Sequence, residues 1–198
     1  MSTETDAPAR APRKDAARNR EALLAAAGEV YSERGVEASL EEIARRAGVG
    51  IGTLYRHFPN RDALNEAVYR REVESLCDGA EQLIADHEPV DALAAWMRQF
   101  AGYVARKRGM AMALKSALGP DNELFSYSHR RIRESLGLLV DAAVKAGQIR
   151  SDVDTEDLLR AMSGICMAVD APVFAERTGR LVNLLVDGLR YGAPASAG

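Results

Sequence analysis

Between residues 39 and 61 the chain reads SLEEIARRAGVGIGTLYRHFPNR, which sets hydroxyl, phenol, imidazole and guanidinium groups close together at Ser39, Arg45, Thr53, Tyr55, Arg56, His57 and Arg61. Side chains of these types bind phosphate oxygens and the edges of bases, because guanidinium forks and short hydroxyls match acceptors held at fixed positions. The chemistry they imply is recognition of a nucleic-acid duplex.

Such groups act together only if the chain presents them on one rod. Ser39 and Glu42 have the spacing of a capping box, and Leu40, Ile43, Ala44 and Ala47 follow at i, i+3, i+4 and i+7, leaving Glu41, Arg45 and Arg46 toward water. A short amphipathic helix is expected. Gly48, Val49 and Gly50 then turn the chain. A second helix is expected over residues 51–58. At about 100° per residue, Ile51, Leu54 and Phe58 share one sector, Gly52, Thr53 and Arg56 project oppositely, and Tyr55 and His57 flank them. Pro59 ends the helix and Asn60 caps the next. The pattern is that of a helix-turn-helix, whose second helix lies in the major groove with Thr53 and Arg56 toward base edges.

These residues resemble the DNA-binding module of the TetR family of bacterial transcription regulators over about residues 18–64, most closely in SLEEIARRAGVGIGTLYRHFPNRDAL. The resemblance implies a three-helix DNA-binding domain followed by an all-α domain that dimerises and binds a small effector, with release from the operator when the effector binds. It places phosphate contacts at Ser39, Tyr55, His57 and Arg61, and base reading at Ile51, Gly52, Thr53 and Arg56.

The composition allows this assignment. The 198 residues suffice for two modules, no apolar run is long enough to span a membrane, and the N-terminus lacks the apolar core of a secretory signal, so a cytoplasmic location is expected. Net charge is −3, yet Arg10, Arg13, Lys14, Arg18 and Arg20 gather near the N-terminus and Arg45, Arg46, Arg56 and Arg61 around the reading helix. Local distribution rather than total charge decides whether phosphates are attracted. Cys77 and Cys166 are each expected to pack as a small hydrophobe.

Residues 1–14 read as a disordered basic tail, 15–60 as the helix-turn-helix domain and 61–198 as the effector-binding and dimerisation domain. The whole is all-α, with about nine helices over residues 15–34, 40–47, 51–58, 61–86, 90–108, 110–118, 122–146, 155–171 and 173–191. Gly109, Gly119, Gly147 and Pro172 mark breaks between the later ones. The last two helices carry more apolar surface than one stripe requires. A symmetric homodimer is therefore expected on Leu158, Leu159, Met162, Ile165, Leu181, Leu184, Leu185 and Leu189, with Gly164 and Gly188 permitting close approach. Trp96, Phe100, Tyr103, Met112, Phe125, Tyr127, Met162 and Cys166 are the candidates to line a chamber for a small apolar or amphipathic molecule, with His129 and Asn183 among its polar tips. Arg106, Lys107 and Arg108 read as cations at a helix C-terminus.

No enzyme is expected. Gly48, Gly50 and Gly52 follow a helix rather than a strand, so they do not form a nucleotide loop, and neither an HExxH, a CxxC nor a GxSxG motif occurs. No cofactor or metal is expected. Two alternatives stay open: a helical protein-interaction module without DNA binding, and an activator in place of a repressor.

Overall fold

The computed structural model describes residues 11–119, 121–168 and 174–191. Among the described residues every regular element is a helix: α1 (Ala11–Arg34), α2 (Leu40–Arg46), α3 (Ile51–His57), α4 (Arg61–Asp86), α5 (Pro89–Leu118), α6 (Glu123–Lys145), α7 (Thr155–Ala168) and α8 (Phe174–Arg190). The all-α reading holds. No helix among the described residues is long and apolar enough to cross a membrane. Residues 11–14, expected in the tail, belong to α1; residues 1–10 lie outside the described residues. So does the break expected at Pro172.

The chain forms two compact units, Met1–Val68 and Tyr69–Gly198, and the division falls inside α4. In the first unit Leu23, Ala27 and Val30 of α1, Ile43 and Ala44 of α2, Leu54 of α3 and Leu64 of α4 are buried together. Each large side chain sealed in this way contributes about 1.5–3 kcal/mol relative to exposure. Gly48, at φ +71°, makes the turn between α2 and α3, and the Val49 N–H closes it by donating to the Ala44 carbonyl at 3.0 Å. A side chain with a Cβ rarely adopts that backbone conformation.

Only half of the expected capping box forms. The Glu42 N–H donates to Ser39 Oγ at 3.4 Å, but the Glu42 carboxylate turns away from the Ser39 backbone to pair with Arg34 and, at 3.5 Å, with Arg46. Two guanidinium groups compete better for a carboxylate than one backbone N–H does.

The second unit is built around α5, which packs against α6, α7 and α8. Pro89 opens α5 at a position where its missing N–H costs nothing. The expected break at Gly109 does not occur: α5 runs unbroken to Leu118. A glycine inside a helix costs roughly 1 kcal/mol relative to alanine. Burial of Met110 and Leu114 just beyond it outweighs that cost. Asn122 Oδ1 caps α6 by accepting from the Leu124 N–H at 2.9 Å, and Asp154 Oδ1 caps α7 by accepting from Asp157 at 3.0 Å. Cys77 and Cys166 are both buried thiols.

Candidate nucleic-acid interface and ligand cavity

The core described above decides what α3 can offer. Leu54 is fully buried and Phe58, just past the helix end, is 2% exposed, so the opposite side of the helix must face outward. Gly52, Tyr55 and Arg56 are exposed, and Ile51, Thr53 and His57 are half-buried. Ile51 is thus not sealed in the core as its angular position alone indicated. A Cβ built on Gly52 would meet nothing within 4 Å. Gly52→Ala is therefore expected to raise the thermal stability of the isolated protein by up to about 1 kcal/mol while weakening DNA binding. Melting and mobility-shift measurements on one preparation check both signs.

The basic residues divide into two groups. Arg45 and Arg56 are exposed. Arg46 was expected in water, but it forms a two-pronged pair with Glu33 at 2.7 and 2.9 Å that holds the Glu33 carboxyl below the usual carboxylate range. Arg61 is likewise engaged internally: one guanidinium nitrogen donates to the carbonyls of Val36 and Ala38 at 2.7 and 2.8 Å. Beside it, burial pushes the Tyr31 phenol up to about 12, with Arg61 opposing. Arg61 thereby clips the start of α4 to the loop between α1 and α2, so its first role is to position that loop and Ser39 just beyond it. Ser39 Oγ itself donates to Glu41 at 2.6 Å.

In the second unit a cavity of about 500 Å³ opens between α4, α5, α6 and α7. Of the residues expected there, Phe100, Tyr103 and Phe125 line it, and Met112 lines an adjoining cavity of about 270 Å³. Trp96 does not: it is fully buried, and its indole N–H donates to the Leu76 carbonyl at 3.1 Å, fastening α5 to α4. Met162 and Cys166 are core side chains at 1% exposure and line neither cavity. Tyr127 is held on the outside by Glu74, which accepts its hydroxyl proton and raises its pKa, with Arg70 and Arg130 against its ring. Asn183 is exposed and accepts from Arg98 at 2.9 Å.

The wall residues not anticipated include Tyr69, Lys107, Lys115, Ser128, Ile132 and Leu159. The cause is the false break at Gly109. With α5 continuous, Phe100, Tyr103, Val104, Lys107 and Ala111 form one helical stripe, and an ammonium in the middle of it is a visible signal. Lys107 is therefore not a cation at a helix end. Its Nζ lies 3.5 Å from the ring centre of Tyr69 and 4.1 Å from that of Tyr103.

The residues expected at a dimer contact also separate. Leu158, Leu159, Met162 and Leu189 are buried within the single chain, because α7 and α8 turn these stripes against α5 and α6. Ile165, Leu181 and Leu185 are half-buried. Leu184 at 68%, Met167 at 67% and Tyr191 at 82% are exposed, and Ala161, Gly164 and Gly188 lie open near them in sequence and helical register.

Comparison with known proteins agrees with this geometry. Residues 23–68 match the family described as bacterial regulatory proteins, tetR family, and residues 88–191 match the SbtR-like transcriptional regulator C-terminal domain. A TetR transcriptional regulator from Streptomyces coelicolor superposes with a TM-score of 0.79 at 46% identity, covering 86% of this chain and 98% of that one. A TetR regulatory protein from Mycobacterium vanbaalenii gives 0.73 at 35%, covering 90% and 98%. An HTH-type transcriptional regulator of Staphylococcus aureus is 26% identical over 153 residues, 76% of this chain and 81% of its own length. All of these are regulators rather than enzymes. With a helix-turn-helix unit and an SbtR-like unit covering most of its described residues, the chain belongs to the TetR family of transcriptional regulators.

Proposed function

We propose that the protein is a homodimeric repressor that binds a near-palindromic operator through two copies of α3 and leaves it when a small molecule occupies the cavity of the second unit. The observation that carries this reading is the outer side of α3, where Gly52, Tyr55 and Arg56 stand exposed over a sealed core. In a dimer the two helices would enter successive major grooves about 34–36 Å apart. Thr53 and Arg56 would read base edges, while Ser39, Arg45, Tyr55 and His57 would meet phosphates, with Ile51 and Gly52 packed close to the bases. Arg61 would support this set through the loop it clips.

The regulatory step would use α4, a single helix with its Asn60-capped start in the first unit and Tyr69 on the cavity wall in the second. A molecule that fits only one setting of α4 shifts the population toward that setting by its differential affinity.

Selection of bound duplexes from random DNA tests the reading. The expected product is a two-fold symmetric site whose half-sites are about 10 base pairs apart. Affinity should fall steeply with salt as phosphate counterions are released. On that site Tyr55→Ala should weaken binding about tenfold whatever the sequence, whereas Arg56→Ala should cost about 1–3 kcal/mol and relax preference at one base pair. Recovery of no preferred duplex, or binding indifferent to salt, would favour a protein-interaction module instead.

A further inference from the structure

We infer that the molecule taken up by the larger cavity is an organic anion, an ionised acid group carried on an apolar or aromatic body. The inference rests on the reading of that cavity as the effector chamber.

Three cations line the wall, Lys107 and Lys115 from α5 and Arg160 from α7, and no aspartate or glutamate is among the lining residues. Arg160 is already paired with Glu156 at 3.0 Å, and Glu156 also meets His129 at 3.1 Å and Arg133 at 3.8 Å, so Arg160 is engaged at the edge of the cavity. The two lysines remain. Tyr103, only 3% exposed, lines both cavities, and its hydroxyl has no hydrogen-bond partner. A buried hydroxyl without a partner is costly, and this one can donate to an acceptor placed in the cavity. Two lysine amino groups and an unpartnered phenol offer donors to a guest. A guest that is all acceptor at one end and apolar at the other, against Phe100, Ile132 and Leu159, satisfies them.

The state of Lys107 points the same way. Burial, with Lys115 adding repulsion, lowers its pKa to about 6. The Tyr69 and Tyr103 ring faces favour the charged form. The other groups facing it from α4 are Glu72, which is paired with Arg106 at 3.2 Å, and Cys77, whose thiol burial pushes up. An anion beside Lys107 stabilises the ammonium, so binding above pH 6 draws in a proton and weakens as pH rises. Well below pH 6 the ammonium is already present and the pH dependence vanishes.

Two dyes of the same skeleton separate the possibilities, anilinonaphthalene sulfonate and its uncharged parent phenylnaphthylamine, both of which fluoresce on entering an apolar cavity. The intact protein should bind the sulfonate about tenfold more tightly at neutral pH, as charge-assisted hydrogen bonds give. Lys107→Met should abolish that preference by weakening the sulfonate. Lys115→Met should reduce it, and this variant carries the test if the first fails to fold by circular dichroism. Because the sulfonate stays ionised, its weakening from about pH 6 to about pH 8.5 in the wild type, absent in Lys107→Met, belongs to the lysine. Equal affinity for the two dyes, or a preference that survives both substitutions, overturns the inference while leaving the chamber in place. Entry of neither dye overturns the chamber reading and the inference with it.

Discussion

Leu184→Glu is expected to lower affinity for a full operator by about 10²–10⁴-fold while leaving the fold of each chain intact, because a dimer holds its second reading helix at high effective concentration near the second half-site. Leu184 is 68% exposed on α8, and among the described residues a charge placed there stays largely in water. Across a two-fold contact the same charge would face its own copy in a desolvated setting, where one unpaired carboxylate is costly. Sedimentation of the wild type as a dimer and of the variant as a monomer, with matching circular dichroism, is the expected pair of results. A variant that still sediments as a dimer moves the contact away from this face. Retention of full operator affinity by a monomeric variant removes the need for two-fold binding.

The second large effect is expected inside the first unit. Leu54 is fully buried beneath α3, in a small core shared with α1 and α2. Leu54→Ala removes contacts and leaves a cavity, at a cost of about 2–5 kcal/mol. That is a large fraction of the stability available to a unit of this size. Hydrogen exchange should show the amides of α2 and α3 losing protection while those of α5 and α6 keep theirs, and DNA binding should fall for every sequence. Unchanged protection in α3 would mean that Leu54 does not hold the reading helix in place.

Much of the first unit could be read from the chain because its signals are local. Ser39 accepts the Glu42 N–H, Gly48 turns with positive φ, and Asn60 Oδ1 caps α4 by accepting from the Ala63 N–H at 2.8 Å. Each of these needs only a few neighbouring residues. What escaped the sequence depends on partners that folding brings from far away. The carbonyls that hold Arg61 lie 25 and 23 positions earlier, and the Glu33 that holds Arg46 lies 13 earlier. Charge periodicity counts all four arginines of that stretch alike, whereas the fold uses two of them as internal braces.

In the second unit the limits are of another kind. Trp96 and Phe100 fall on the same side of α5 and their rings stack 5.8 Å apart, yet one is sealed against Leu76 and the other lines a cavity. Apolar character marks both equally; only the neighbouring helices distinguish filled space from empty space. The same holds for α7 and α8, where both stripes of each helix are apolar and packing alone determines which one the chain keeps for itself. At Gly109 the local preference for a break is weak, and the burial of Met110 and Leu114 outweighs it.

The vacant space above Gly52 has a practical corollary. Since nothing in the folded chain occupies it, a variety of side chains could be grafted there without repacking anything beneath. In the docking proposed above, a larger side chain there would crowd the bases and not the scaffold, so one codon can change operator contact with the fold left as it is.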